Sequence, residues 1–548
     1  MSTRFTTHEV VNQPPPLTPR NLYEADPLLK SILEPVLTED AERDLVKQGQ
    51  VWGATETHEL ARLANTTPPS LKTHDAFGRR LDVVEFHPAY HALMRRSAEA
   101  GLHCSVWEKS RADTGRRHVL RAARYFITAQ VDCGHLSSMT MTHAALGVLS
   151  HDQHQYSEWG PRVVKRAYDH RFQPAGRKSA VTLGLALTEK QAGSDMAGLE
   201  TQATSVRGGY SLLTGHKWFL SAPMSDAFLM LAQADGRLTC YLVPRFREDG
   251  SLNGLRLQRL KDKLGNKSNA TAEVELAEAE ALPLGPIGDG AKTIVDAITL
   301  SRLDHALASA GMMRMALARA VHHTRYRSAF GVKLFDAPLM RRVMADMSLD
   351  VAAASALTFA LASAYDAATS DTRAAVYARV MTPAVRYWVC KAASALTAET
   401  MEVVGGNGFV EDHDLARLYR DAPGNAIWDG SGNVMCMDLL RALRSAPDAL
   451  DIVLSHIADG LGATGPASVD VLHAAARACL EDEGSARILT EQLALTAAAA
   501  ELRRVAPRQI ADAFIDSRLA GQWRATYGML DARFDFPGIL NYLFPVPN

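Results

Sequence analysis

The chain has 548 residues, 47% of them hydrophobic, and a formal net charge of −2. That length exceeds one core and the apolar content can fill several, while the near-neutral balance supplies no global field to recruit nucleic acid or an anionic membrane. The six cysteines, Cys104, Cys133, Cys240, Cys390, Cys436 and Cys479, include no Cys-x-x-Cys pair, which argues against a disulfide framework or a zinc ribbon. Met1–Gln13 is polar and no apolar run reads as long enough to cross a bilayer, so the expectation is a cytoplasmic protein without signal peptide or membrane span.

Residues 1 to about 50 begin as an arm, because Pro14-Pro15-Pro16 favours an extended path. Val51 to about Ser179 reads as helices, most clearly the Ala-, Leu- and Met-rich run Arg116–Val148. His87 and His91 have metal-ligand spacing on a helix, but Pro88 lies between them and no third ligand is evident, so ordinary histidines and no metal are expected. From Val181 to Pro286 the period becomes two: Ala272, Val274 and Leu276 alternate with Glu273 and Glu275, and Ala227–Ala232 and Leu238–Val243 flank the turn residues Asp235-Gly236. From Ala291 the helical step returns, with Leu303, Leu307, Ala310, Met313 and Leu317 on one face. Long Ala-rich segments continue to Leu443, and a Gly-rich break, Asp459–Ser468, lies in a final helical region ending near Asn548. The predicted fold is α+β, mainly α: an N-terminal helical domain with an extended arm (1–180), a middle antiparallel β domain (181–290), a C-terminal helical bundle (291–443) and an extra helical C-terminal domain (444–548).

Four segments carry chemistry. Leu185–Asp195 leaves an apolar strand with the Thr188 hydroxyl, the Glu189 carboxylate and a tight turn at Gly193-Ser194, groups suited to the edge of a polar, electron-accepting ring. Gly215–Ser221 joins the aromatic surface of Trp218 and Phe219 to the Ser221 hydroxyl. Glu402–Phe409 holds Gly405, Gly406 and Gly408, which allow close approach of backbone to a diphosphate; the run follows a helix, so it is not a Rossmann fingerprint. Ile427-Trp428-Asp429-Gly430-Ser431-Gly432-Asn433 sets a carboxylate beside a bulky aromatic and a flexible turn.

Together these segments resemble the acyl-CoA dehydrogenase family of flavoproteins, over about residues 50–443. Leu187-Thr188-Glu189 with Gly193-Ser194-Asp195 looks like one signature of that family, and Glu402 through Asp421 fits a second. Arg327-Ser328-Ala329-Phe330-Gly331 looks like its Arg-x-x-Phe-Gly, and Lys263-Leu264-Gly265 before Ser268 also fits. Within the family the likeness is to the AidB (adaptive response to alkylation) proteins, through Asn12-Gln13-Pro14, Gly215–Ser221, Ile427–Asn433 and the helical region after Leu443. The resemblance implies FAD as cofactor, an acyl-CoA substrate and a homotetramer. It implies that Leu187, Thr188, Gly193 and Ser194 contact the isoalloxazine and its chain, that Phe219 and Ser221 cover its other side, and that Ser431 and Asn433 hold the diphosphate or ribityl part, with Ile427 and Trp428 beside them. Arg327, Phe330, Glu402, Gly405 and Gly406 come from a second subunit on this reading, and Asp429 stands where the family has its base.

Three departures qualify the expected activity. Asp429 replaces the usual Glu and is shorter by about 1.3 Å, where a misplacement of about 1 Å costs roughly 100-fold in rate. Glu402 replaces a common Gln and would repel a diphosphate unless a cation pairs with it. Trp428 is larger than the usual aromatic and narrows a substrate pocket. AidB proteins are also associated with DNA and alkylation damage. Beyond Arg441 the chain has nine Arg, no Lys and thirteen Asp or Glu, a net of −4. Arg441, Arg444, Arg503, Arg504 and Arg508 are the candidates for a DNA-binding face, against the plainer expectation of a solvated, salt-bridged surface. Three readings follow: an FAD-dependent dehydrogenase of acyl-CoA thioesters, slow because of Asp429; a DNA-binding flavoprotein of the alkylation response with vestigial dehydrogenation; and, more weakly, a helical scaffold that FAD locks together.

Overall fold

The computed structural model describes residues 7–108, 115–206, 208–446, 448–519 and 534–545. Parts of two expected segments, residues 1–6 of the polar start and residues 520–533 and 546–548 of the final helical region, lie outside the described residues.

The arm is shorter than its sequence implies. Helices begin at α1 (Pro27–Leu33), where the Asp26 carboxylate accepts the Leu29 N–H, and α2 (Glu39–Trp52), which Thr38 caps in the same way. After α3 (Thr55–Thr66) the chain departs from the expected run of helices and forms an antiparallel hairpin, β1 (Ser70–His74) and β2 (Arg80–Glu85). Its sequence alternates exposed with half-buried positions, turns at Gly78 in the left-handed region (φ 79°), and seats Leu71 and Val84 against the central sheet. Helices then resume with α4 (Pro88–Glu99), α5 (Arg117–Ala129), α6 (Gly134–Leu149) and α7 (Gln153–Val163). The imidazole of His87 caps α4 by accepting the Ala89 N–H at 3.1 Å, and His91 bonds the Tyr168 hydroxyl at 2.9 Å.

The middle of the chain is a seven-stranded sheet of β3 (Leu183–Ala186), β4 (Gln202–Ser205), β5 (Ser211–Ser221), β6 (Ala227–Ala234), β7 (Arg237–Pro244), β8 (Leu255–Leu260) and β9 (Thr271–Leu284). The order is β3-β5-β4-β6-β7-β9-β8, and added β3–β6 and β5–β9 pairings fold the sheet back on itself. It is mostly antiparallel, as its alternation implies; β6 runs parallel to both β3 and β4.

A helical bundle follows: α8 (Gly290–Thr293), α9 (Val295–Tyr326), the short hairpin β10 (Ser328–Ala329) and β11 (Val332–Lys333), α10 (Pro338–Ala367), α11 (Thr372–Val404), α12 (Gly406–Phe409), α13 (Asp414–Asn425) and α14 (Gly432–Ser445). The α10 helix is long and apolar enough by composition to span a bilayer, but most of that stretch is buried among its neighbours, as in a core helix. Beyond it lie α15 (Ala449–Leu461), α16 (Gly465–Glu481), α17 (Ala486–Val505), α18 (Arg508–Arg518) and α19 (Phe536–Leu543). One apolar cluster runs through the N-terminal helices, the bundle and this last region, with Phe126, Leu357, Leu396 and Leu493 all buried in it. This is the mainly helical architecture with a central β domain that the sequence implies.

A buried ion pair pins the N-terminal helices to the bundle. The Arg121 guanidinium on α5 grips both oxygens of Asp304 on α9 at 2.6 and 2.7 Å and donates a third hydrogen bond to Leu102 O. Thr140 on α6 donates to Asp304 Oδ2 at 2.8 Å. Removing one partner strands the other charge without water, a loss of about 3–5 kcal/mol. Arg121→Met is therefore expected to lower the chemical-denaturation midpoint markedly; a wild-type midpoint would show that the pair is not the pin.

Candidate functional site

Strand β3 is buried along its whole length and delivers the chain to the Leu187–Asp195 loop. Leu185 stands opposite Ser221 in the sheet, and the Trp218 N–H donates to Thr188 O at 2.8 Å. Two segments separated by thirty residues in sequence thus become neighbours. The hydroxyls of Thr188, Ser194 and Ser221 make no hydrogen bond among the described residues and Phe219 is exposed beside them, so the ledge offers polar edges and a ring face outward. Gly193 sits close under Thr188: a Cβ there would meet the Thr188 methyl at 3.3 Å.

The ledge is held by a pair that the sequence reading did not identify. Glu189 and Lys217 are both buried, with Lys217 Nζ 2.6 Å from Glu189 Oε1. Glu189 also accepts the N–H groups of Glu200 (2.7 Å) and Thr201 (3.2 Å), and Lys217 donates to Leu231 O at 2.7 Å. Burial opposes the Glu189 charge, but the Lys217 cation and these hydrogen bonds outweigh it and hold the carboxyl at about 2. A lysine inside an otherwise apolar and aromatic strand was the available signal.

The second half of the site is the turn between α13 and α14. Asp429 lies in the left-handed region (φ 52°) and Gly430 follows at φ 112°. Two arginines hold this conformation. Arg386 on α11, almost wholly buried, donates to the carbonyls of Trp428, Gly430 and Asn425. Arg302 on α9 donates to Asp429 O at 3.3 Å and to Asp438 Oδ2 at 2.7 Å. The Asp429 side chain accepts from Ser301 Oγ at 2.6 Å, and His305 Nδ1 lies 3.9 Å from the same oxygen. Ser301, Arg302, His305 and Arg386 were all missed; for the first three the signal was polar residues breaking the apolar stepping around Leu303 and Leu307, and for Arg386 a cation within the apolar run of α11. Trp428 is half-buried and packs over Gly424, whose added Cβ would lie 3.0 Å from the indole nitrogen. Ile427 is exposed.

The turn ends in a helix start that can receive an anion. Ser431 is the N-cap of α14 and its side chain makes no capping bond, which leaves the first N–H groups of a fourteen-residue helix open. Asn433 is exposed and accepts from Arg487 Nε on α17 at 2.8 Å. A cavity of about 640 Å³, lined by Tyr387, Arg487, Glu491 and Arg518 among others, lies near this tip, but no predicted site residue lines it.

The remaining candidates do not join this site within one chain. Arg327 donates to Asn12 O at 3.0 Å, and Asn12 exchanges two further hydrogen bonds with Ser328, so the arm braces the hairpin. At its tip Phe330 is fully exposed with φ 52°. Gly405 (φ 74°) and Gly406 end α11 in open space, where an added Cβ meets nothing within 4 Å. Glu402 is exposed and forms no ion pair among the described residues, so the expected cation partner is not found there. Other parts of that signature are structural: Arg417 donates to Val131 O at 2.8 Å, and Asp421 accepts the Asn266 N–H at 2.6 Å, with burial raising its carboxyl to about 6. The Lys263 amine, brought down to about 8 by burial, donates to Asn269 O beside this contact.

The five arginines considered for DNA each face a carboxylate: Arg441 with Asp438 at 3.7 Å, Arg444 with Glu483 at 2.8 Å, Arg503 with Asp512 at 2.7 Å, Arg504 with Glu501, and Arg508 with Asp512 at 3.4 Å. Arg441 and Arg508 are nonetheless largely exposed.

Comparison with known proteins gives three adjoining family matches: the adaptive response protein AidB N-terminal domain over residues 12–170, the acyl-CoA dehydrogenase middle domain over 184–279, and the acyl-CoA dehydrogenase C-terminal domain over 288–444. The chain is 44% identical to the putative acyl-CoA dehydrogenase AidB of Escherichia coli (strain K12), spanning 82% of this chain and 83% of that protein. It is 31% identical to acyl-CoA dehydrogenase family member 11 of Caenorhabditis elegans over 79% of this chain and 72% of that protein. The crystal structure of C. elegans ACDH-11 in complex with C11-CoA superposes with a TM-score of 0.85 at 26% identity, covering 98% of this chain and 95% of that one.

The Glu189–Lys217 pair yields a prediction with a sign. A carboxyl held at about 2, against an ordinary 4.5, contributes stability that is complete above the ordinary value and is lost as pH falls toward the folded one. Glu189→Gln leaves the ammonium unpaired and is expected to cost about 3–5 kcal/mol near neutrality. The gap in unfolding free energy between wild type and variant should be smaller at about pH 3.5 than at about pH 7; an equal gap would refute the pairing.

Proposed function

The chain belongs to the acyl-CoA dehydrogenase family, and we propose that it is an FAD-dependent oxidoreductase that dehydrogenates an acyl-CoA thioester at its α,β carbons with Asp429 as the base. The observation that carries this reading is the Asp429 carboxylate, set in a left-handed turn by Arg386 and Arg302 and oriented by Ser301. FAD is the cofactor of this family. The unpaired hydroxyls of the ledge, the exposed Phe219, the open start of α14 and the bare Gly405-Gly406 backbone all suit a polar tricyclic ring with a diphosphate tail.

On this reading Leu187, Thr188, Gly193 and Ser194 hold the ring edge, Phe219 and Ser221 cover it, Ile427 and Trp428 wall the site, and Ser431 and Asn433 bind the diphosphate or ribityl part. Arg327, Phe330, Glu402, Gly405 and Gly406 complete the site of a neighbouring subunit in a homotetramer. Their outward placement supports this, as does the apolar surface of Phe330, Val332, Leu339, Phe409 and Val410 around them. Asp429 removes a proton from the α-carbon of the thioester, and the electron pair of that C–H bond stays with the substrate. Bound FAD supplies the acceptor for the β-hydride. The acyl-CoA assignment draws support from the C11-CoA complex of the nematode relative.

The second reading, a DNA-binding flavoprotein of the alkylation response, draws on the AidB likeness and on the exposure of Arg441. It requires salt-sensitive DNA retention that Arg441→Ala abolishes; retention unchanged in that variant would set it aside.

For the dehydrogenase, the purified protein supplied with FAD should show flavin absorbance that bleaches anaerobically with undecanoyl-CoA or butyryl-CoA. Asp429→Asn should keep the absorbance and lose the bleaching. Asp429→Glu, with about 1.3 Å more reach, should bleach faster than wild type. Bleaching by Asp429→Asn at the wild-type rate would remove Asp429 from its role.

A further inference from the structure

We propose that His305 is a positioning residue that shares the proton Asp429 takes from the substrate, an inference that rests on the reading of Asp429 as the base. Ser301 and His305 are one turn apart on α9 and face the same carboxylate. Ser301 Oγ donates to Asp429 Oδ2 at 2.6 Å, which orients the carboxylate. His305 Nδ1 is 3.9 Å from that oxygen, buried, and without a hydrogen-bond partner among the described residues. A buried nitrogen left unpaired is costly. The cost falls when the neighbouring carboxyl carries a proton, because a neutral imidazole protonated at Nε2 offers Nδ1 as an acceptor.

The groups facing the imidazole come from three elements: Asp429 on the turn, Arg302 and Asp304 on its own helix, and Arg386 on α11, where Cys390 also donates its Sγ–H to His305 O at 3.5 Å. Burial, with the two guanidinium charges, outweighs the two carboxylates and brings the imidazole down to about 4, so it is neutral near pH 7 and free to accept. The step balances within the pair. The substrate Cα–H bond breaks and an O–H bond forms on Asp429. That proton then passes to His305 Nδ1, leaving a carboxylate and an imidazolium whose summed charge is unchanged. Closing the separation to hydrogen-bond distance takes a displacement of about 1 Å, within reach of side-chain rotation.

The test uses the full-length FAD-loaded protein and two readouts. In anaerobic bleaching with undecanoyl-CoA, His305→Gln is expected to lower kcat about tenfold and leave KM within about twofold of wild type. In ¹⁵N-histidine-labelled wild type, one resonance, assigned by its loss in His305→Gln, should move to the imidazolium position on bleaching by the acyl-CoA; it should not move when dithionite reduces the flavin without substrate. A wild-type kcat in a flavin-loaded His305→Gln, or bleached wild type with every histidine signal unmoved, overturns the inference while Asp429 keeps its role. If His305→Gln does not fold, the wild-type resonances decide: a new imidazolium signal on bleaching by the acyl-CoA that dithionite reduction does not produce supports the pair. Unaltered bleaching by Asp429→Asn, or a wild type that neither acyl-CoA bleaches, overturns the base reading itself and this inference with it.

Discussion

The site depends on one buried guanidinium. Arg386 gives its hydrogen bonds to the carbonyls of Asn425, Trp428 and Gly430, and so satisfies backbone that a left-handed Asp429 takes out of regular structure. A non-glycine residue at positive φ persists only where its surroundings over-determine it. Here Arg302 holds the Asp429 carbonyl from a second helix, and Asp438 in turn holds Arg302 and Arg379. The carboxylate is held at one position because three helices fix the peptide units on either side of it.

Elsewhere too, cations inside the protein are spent on backbone and carboxylates. Lys217 fixes the loop after β3, Arg121 ties α5 to α9, and Arg417 ties α13 to the α5–α6 junction. Such groups gain little net stability over an apolar core of the same shape, because desolvation cancels most of the Coulomb gain. Their value lies in direction: Lys217 aims at the Glu189 loop after β3, Arg121 at Asp304 on α9 and at Leu102 O, and Arg417 at Val131 O between α5 and α6.

How much of this was legible depends on the range of the determining interaction. The pairing of the Thr188 loop with the strand that carries Ser221 was expected only from the family resemblance; in the fold it comes from Leu185 opposite Ser221 and the Trp218 N–H on Thr188 O, contacts between segments thirty residues apart. The hairpin Ser70–Glu85 was not legible, since a small, half-exposed pair with one face on a neighbouring sheet lacks the apolar alternation that marks an interior strand. Asp429 stood out by its motif, whereas Ser301, His305 and Arg386 lie in helices where a lone polar residue reads as any surface position. Only tertiary packing turns them inward. The arginines after Leu443 illustrate the converse: composition showed cations, and the fold supplied a carboxylate for each of the five considered.

Residues that fail to converge are informative for the same reason. Phe330 and the Gly405-Gly406 backbone are built with care, in left-handed or open geometry, yet face away from the ledge of their own chain. The arm spends Asn12 on bracing that hairpin from behind rather than covering it. If the proposed second subunit receives them, cofactor binding and assembly draw on one set of contacts. Free FAD then shifts the assembly equilibrium by mass action, since it binds the assembled state better than the separate chain. Assembly in turn tightens FAD by the same factor, because linkage is reciprocal. On that proposal the exposed apolar residues around the hairpin and the α11 terminus belong to both functions at once.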